Sequence, residues 1–97
     1  MARAGHRWTQ ISRKWVCDDM RRIRFTHRRN PGAWGMAFPA QNRIEIDPAL
    51  DDRTEMDIAI HEGLHVLFPM LDESAIDEAG KSLADLLWRL GYRRGDE

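Results

Sequence analysis

Apolar and polar positions follow two different rhythms along this chain. Between residues 22 and 47 they alternate, and from Asp51 onward they recur every third or fourth residue. In Arg22-Ile23-Arg24-Phe25-Thr26 every second side chain is apolar, the pattern of a half-buried strand. Ala33 to Phe38 reads as a second strand, with Trp34, Met36 and Phe38 on one face. Arg43-Ile44-Glu45-Ile46-Asp47 alternates again and reads as a third. Arg29-Asn30-Pro31-Gly32 and Pro39-Ala40-Gln41-Asn42 supply turn chemistry between them.

After Pro48-Ala49-Leu50 the period lengthens. No proline interrupts the chain until Pro69, and Asp52 with Glu55 fits a D-x-x-E helix start, its acids suited to the helix dipole. Met56, Ile60, Gly63, Leu64 and Leu67 form an apolar stripe at helical spacing. Pro69-Met70-Leu71-Asp72 ends that helix. Glu73 to Leu90 is a second helix, with Gly91 as its stop and Trp88 and Leu90 as core residues. Upstream, residues 1–7 read as a loose terminus. Trp8 to Val16 fits either a short helix or a strand, since Trp8, Ile11 and Trp15 are helically spaced. Strands followed by helices predict an α+β fold: a small antiparallel or mixed sheet of about three strands, then two packed helices.

Composition narrows this further. The 97 residues make one domain, 1–97, with one modest core. Cys17 is the sole cysteine, which excludes an internal disulfide, fits a reducing compartment and reads as a small buried hydrophobe. The basic start leads into no apolar signal region, and nothing approaches a membrane span, so the cytoplasm is the expected location. The net charge is −1, unevenly spread: residues 1–30 carry nine basic and two acidic residues, and the remainder six basic and fourteen acidic. A basic N-terminal third suits phosphates or acidic surfaces, and it keeps a nucleic-acid-associated function among the alternatives, although no recognition motif accompanies it. The plainer account is that these cations are solvated and pair with the acidic helices.

One motif dominates the chemistry. Residues 61 to 65 read His-Glu-Gly-Leu-His. On a helix, four residues bring His65 back to within about 40° of His61, so both imidazoles can grip one Zn²⁺. Ile58, His61, Glu62 and His65 lie on a strip beside the apolar stripe. Glu62 is then placed to take a proton from a water at the metal. A catalytic zinc usually has three protein ligands. His6 and His27 qualify by chemistry. However, a second helix returning after a short break brings its first acids towards His65. Glu73, Asp77 and Glu78 are available there. Glu73, Asp77, Gly80 and Ala84 share one face, whose small residues allow a close helix approach. That face selects Asp77, with Glu73 as the alternative third ligand, while Glu78 points to solvent.

The motif with a downstream acid on a following helix resembles the zincin metallopeptidases in their gluzincin arrangement. The segment Asp77-Glu-Ala-Gly80-Lys-Ser-Leu83-Ala84 is similar to the E-x-x-A-N-x-F-A segment of ImmA-like peptidases, with Asp77 in the ligand's place. The span from Arg43 to Arg93, ending Leu-Leu-Trp-Arg-Leu-Gly-Tyr-Arg, also resembles small phage- and prophage-encoded H-E-x-L-H proteins. The resemblance implies a zinc-dependent metallopeptidase with a peptide or protein substrate. Glu62 would be the general base, and Arg43 to Asp47 or Ala33 to Phe38 the edge strand that pairs with an extended peptide. An oxyanion stabiliser is also required, for which Tyr92, His27 and Arg93 are available. A catalytically inactive zinc-binding module, acting in a virion or on a host protein, is the main alternative.

Overall fold

The computed structural model describes residues 22–95. It is α+β: a three-stranded mixed sheet followed by two packed helices. Strand β1 is Arg24–His27, β2 is Gly35–Phe38 and β3 is Arg43–Ile46. A short 3-10 turn, Pro39–Gln41, joins β2 to β3. It closes through Asn42, whose φ of 55° lies in the left-handed region that Asn tolerates better than most residues. Helix α1 is Asp52–Leu67 and α2 is Glu73–Arg89. No helix among the described residues is long and apolar enough to cross a membrane. His6, Trp8 to Val16 and Cys17 lie outside the described residues, and so does most of the basic N-terminal third.

The sheet order is β1-β3-β2. β3 pairs antiparallel with β2, Ala37 facing Ile44, and parallel with β1, Phe25 facing Ile44. β3 is therefore central, which removes Arg43 to Asp47 as a free edge and leaves β2 exposed along one side. The inner face of β3 carries Ile44 and Ile46, which are 5% and 4% exposed and pack on Val66 of α1 with Ile23, Ala37, Leu50, Ile58 and Ala59 around them. The opposite face carries Glu45, whose carboxylate is buried yet satisfied: Arg43 donates to it at 2.8 Å and Arg28 stands 3.9 Å away.

One strand face and one helix face differ from expectation. Trp34 and Met36 sit on the outer side of β2, 59% and 37% exposed, and the inner side is formed by Gly35 and Ala37. The reason is proximity: α1 runs so close beneath β2 that only small side chains fit. The inward positions of α1 are also shifted from the expected stripe. Gly63 and Val66 are buried, Ile58 and Ala59 pack on the core, and Leu67 is 36% exposed. A helix held between a sheet on one side and α2 on the other is covered on two sides, so its apolar positions do not mark a single face.

Each helix start is fixed by an aspartate. Asp51, not Asp52, caps α1 by accepting from Thr54 N at 2.9 Å. The Thr54 bonds hold the Asp51 carboxyl below its usual range. Asp72 caps α2 by accepting from Ala75 N at 2.9 Å. Ile76, Gly80 and Ala84 are the buried positions of α2. A Cβ at Gly80 would stand 3.7 Å from His61 Cα, so the small-residue face does carry the close helix crossing. Gly91, with φ of +99°, ends the helix as expected. Leu90, expected in the core, is 64% exposed on the outer side of α2.

Candidate metal centre

The site is built on one helical hairpin. One turn of α1 separates His61 from His65, and their rings meet edge to face with centroids 4.9 Å apart. The five residues 68–72 then reverse the chain, with Leu71 N donating to Phe68 O at 3.1 Å. Asp72 starts α2 at once, which puts Glu73 in its first turn, directly opposite the two histidines. Glu73 Oε2 lies 3.0 Å from His61 Nε2, and Glu73 Oε1 lies 3.0 Å from His65 Nε2. One carboxylate therefore spans both imidazoles.

His61, His65 and Glu73 form the one cluster of three potential metal-ligating residues among the described residues, each offering an atom within 4.8 Å of the others. Ligand atoms held about 2.1 Å from a tetrahedral ion are about 3.4 Å apart, and each histidine's contact with Glu73, at 3.0 Å, lies within a few tenths of an ångström of that spacing. Two imidazoles and one carboxylate are a donor set that suits zinc. The histidines are partly buried and Glu73 is 69% exposed, which leaves the outer side of the cluster open to solvent.

Asp77, the acid favoured by the helix face, occupies a different place. Its Oδ1 is 4.0 Å from His61 Nδ1, on the side of the ring away from Glu73, and its Oδ2 is 3.2 Å from Lys81 Nζ. Both acids share the inward face of α2, as expected. They differ in height, because four residues of helix advance about 6 Å. Glu73 reaches the Nε2 atoms and Asp77 backs the Nδ1 atom.

Glu62 completes the group. It points up from α1 towards β2, where a Cβ on Gly35 would lie 3.0 Å from Glu62 Cγ and 3.3 Å from Glu62 Oε2. Burial under the strand raises the Glu62 carboxyl above its usual range; His61 and His65 oppose this, and Glu73 adds to it. That shift moves a carboxylate towards the basicity a proton acceptor needs near neutrality. A cleft of about 250 Å³ opens beside His61, lined by Trp34, Ile58, Asp57, Asp77, Gly80 and Lys81 among others.

The remaining histidine among the described residues, His27, and the other candidate oxyanion stabilisers lie elsewhere. His27 Nε2 is 2.7 Å from Glu55 Oε2, and Arg94 joins the same carboxylate. This fastens β1, α1 and the segment after α2 together. Burial would raise the Glu55 carboxyl, but the hydrogen bonds of His27 and Arg94 outweigh it and hold it below its usual range. Arg93 lies over the Trp88 ring, 3.3 Å from its centroid, and donates to the carbonyls of Trp88 and Tyr92. Tyr92 follows the end of α2, some 25 Å along the helix axis from Glu73. None of Tyr92, His27 and Arg93 is placed to meet an oxyanion at the cluster. The interplay that separates Glu73 from Asp77 had no signal in the sequence beyond the i, i+4 spacing of the two acids.

Comparison of the chain with protein-family models, with curated proteins and with solved structures returns no match.

Proposed function

We propose that this protein is a minimal zinc-dependent peptidase. His61, His65 and Glu73 would hold the ion, and Glu62 would act as general base. The observation that carries the reading is the conjunction of the donor trio with Glu62, half-buried between α1 and Gly35 of β2 beside it. Asp77, 4.0 Å from His61 Nδ1, is then a positioning residue: its charge favours the tautomer with the proton on Nδ1, and an approach of about 1 Å would make the hydrogen bond that holds the ring with Nε2 free to ligate.

When bound, zinc would supply Lewis acidity, polarising a scissile carbonyl and making a nearby water more acidic. Glu62 accepts a proton from that water as its oxygen adds to the carbonyl carbon. The same carboxyl then passes the proton to the amine nitrogen as the carbon–nitrogen bond breaks. β2 is the free strand edge nearest this chemistry, with Gly35 directly above Glu62, so an extended peptide pairing along Gly35–Phe38 would cross the site. With Cys17 as sole cysteine, we place the activity in a reducing compartment such as the cytoplasm.

Purified wild type should bind one equivalent of zinc and cleave members of an unstructured peptide library. Glu62→Gln should retain the zinc and lose cleavage by at least about a hundredfold. Equal cleavage by both proteins would assign the activity to a contaminant. Zinc retained by both with cleavage by neither would instead leave a non-catalytic zinc-binding module.

A further inference from the structure

We infer that the outer face of α2 is a two-fold interface between two copies of this chain, its helices packed antiparallel. Ala79, Leu83, Leu86 and Leu90 follow one another at intervals of four, three and four residues, the spacing of a helix–helix seam. All four are exposed: Leu83 by 43%, Leu86 by 42% and Leu90 by 64%. The strip lies about 100° around the helix from Ile76, Gly80 and Ala84, which face α1. Apolar side chains repeated on one exposed strip of a charged helix are what a partner helix covers.

Charge selects both the occupant and its direction. Beside the strip α2 carries Glu78 near its start and Arg89 in its last turn, whereas Glu73 and Asp77 face α1 and Arg94 is held by Glu55. A parallel copy would set acid on acid and base on base, and an antiparallel copy sets each end on its opposite. Glu78 and Arg89 are thus complementary to their own copies on the reversed helix. With the axis midway between Leu83 and Leu86, Leu83 meets the partner's Leu86, and the small Ala79 accommodates the partner's Leu90. Glu78, which forms no ion pair among the described residues, comes within side-chain reach of the partner's Arg89. Arg89 is 66% exposed and, among the described residues, paired with Asp85 of its own helix alone. The contact is isologous, so each interaction occurs twice. Phe68, Met70 and Leu71, exposed at the start of α2, lie at the end that this packing brings towards the partner's Tyr92, which is 61% exposed.

Sedimentation equilibrium of the full chain, from low micromolar to submillimolar concentration, tests this. Wild type should show a monomer–dimer equilibrium. Leu86→Lys should raise its dissociation constant at least about a hundredfold, since each dimer loses two buried leucines. Far-UV circular dichroism and zinc content should stay at wild-type values, because Leu86 is remote from the metal cluster. Glu78→Arg and Arg89→Glu should each weaken the dimer, and the double variant should recover it. A wild type that is monomeric throughout overturns self-pairing and leaves the strip to a different protein. A Leu86→Lys variant that dimerises like wild type overturns the surface, and a double variant no better than its singles overturns the antiparallel direction. None of these readouts depends on hydrolysis.

Discussion

Gly35→Ala is the smallest change that tests how the sheet sits on the site. The added Cβ would collide with Ile58 Cγ2 and stand 3.0 Å from Glu62 Cγ. Ile58 cannot swing aside, because a β-branched residue inside a helix has one strongly preferred rotamer and its Cγ2 lies close to the backbone. The relief available is for β2 to lift away from α1. That strand is tied to β3 from Gly35 to Phe38, opposite Ile44 and Ile46, so the lift loosens the core as well. Overpacking of this kind costs about 1–3 kcal/mol. At about 2 kcal/mol the melting temperature of a domain this size falls by roughly 8–16 °C, readable by circular dichroism at 222 nm. Removing Cγ2 should relieve the clash, so Gly35→Ala with Ile58→Ala should be less destabilised than the sum of the two single changes. Peptide cleavage by Gly35→Ala, measured well below its melting temperature, should also fall, since the lifted strand uncovers the Glu62 side chain. An unchanged melting temperature, or strict additivity with Ile58→Ala, would refute the close approach of β2 to α1.

Other expectations follow from the same geometry. Glu73→Gln should weaken zinc binding more than Asp77→Asn, for which a loss of about 10–100-fold is expected; competition titration against a chromophoric chelator ranks them, and the reverse order would exchange the two roles. The Glu55 carboxyl is held low in the folded chain, so its contribution to stability is full above the ordinary glutamate range and is lost as pH falls through the folded value. Glu55→Gln should therefore lower the neutral melting temperature by a few degrees and flatten its acid decline; parallel curves for both proteins would show that the pairing with His27 and Arg94 contributes nothing. A Cβ at Gly80 would meet His61 Cα and Leu64 at ordinary contact distances of 3.7 and 3.8 Å, so Gly80→Ala should be tolerated, gaining up to about 1 kcal/mol of helix propensity. Gly80→Leu should force the helices apart and release zinc, and both effects are measurable by thermal melts and metal content.

The legible parts of this protein are those encoded by neighbours in sequence. The 61–65 pentad sets two imidazoles one helical turn apart wherever the helix lies. Pro69 and Gly91 mark helix ends by removing or freeing backbone conformations, and Gly80 with Ala84 announces a close crossing. The order β1-β3-β2 was not legible, because alternation shows which residues share a face and not which strand lies next to which. Glu73 and Asp77 were not separable for a similar reason: they share a face, and their heights relative to His65 depend on how residues 68–72 set the start of α2. Leu90 was expected in the core because it is apolar and on the helix; its outward position depends on where Gly80 fixes the rotation of α2 against α1.

The donor trio also has a consequence for how the site is assembled. Its members span residues 61 to 73, with seven residues between His65 and Glu73, and both helices are held by their own aspartate caps. Joining them closes only a short loop, which carries a small entropic cost. On the proposed reading, ion capture would be a property of the α1–α2 hairpin, whereas the altered basicity of Glu62 comes from the strand laid over it. The two capacities are modular. Substitutions in β2 should change turnover while leaving zinc affinity near its wild-type value, and a hairpin that holds its ion without the sheet would be a binder that has not yet become a catalyst.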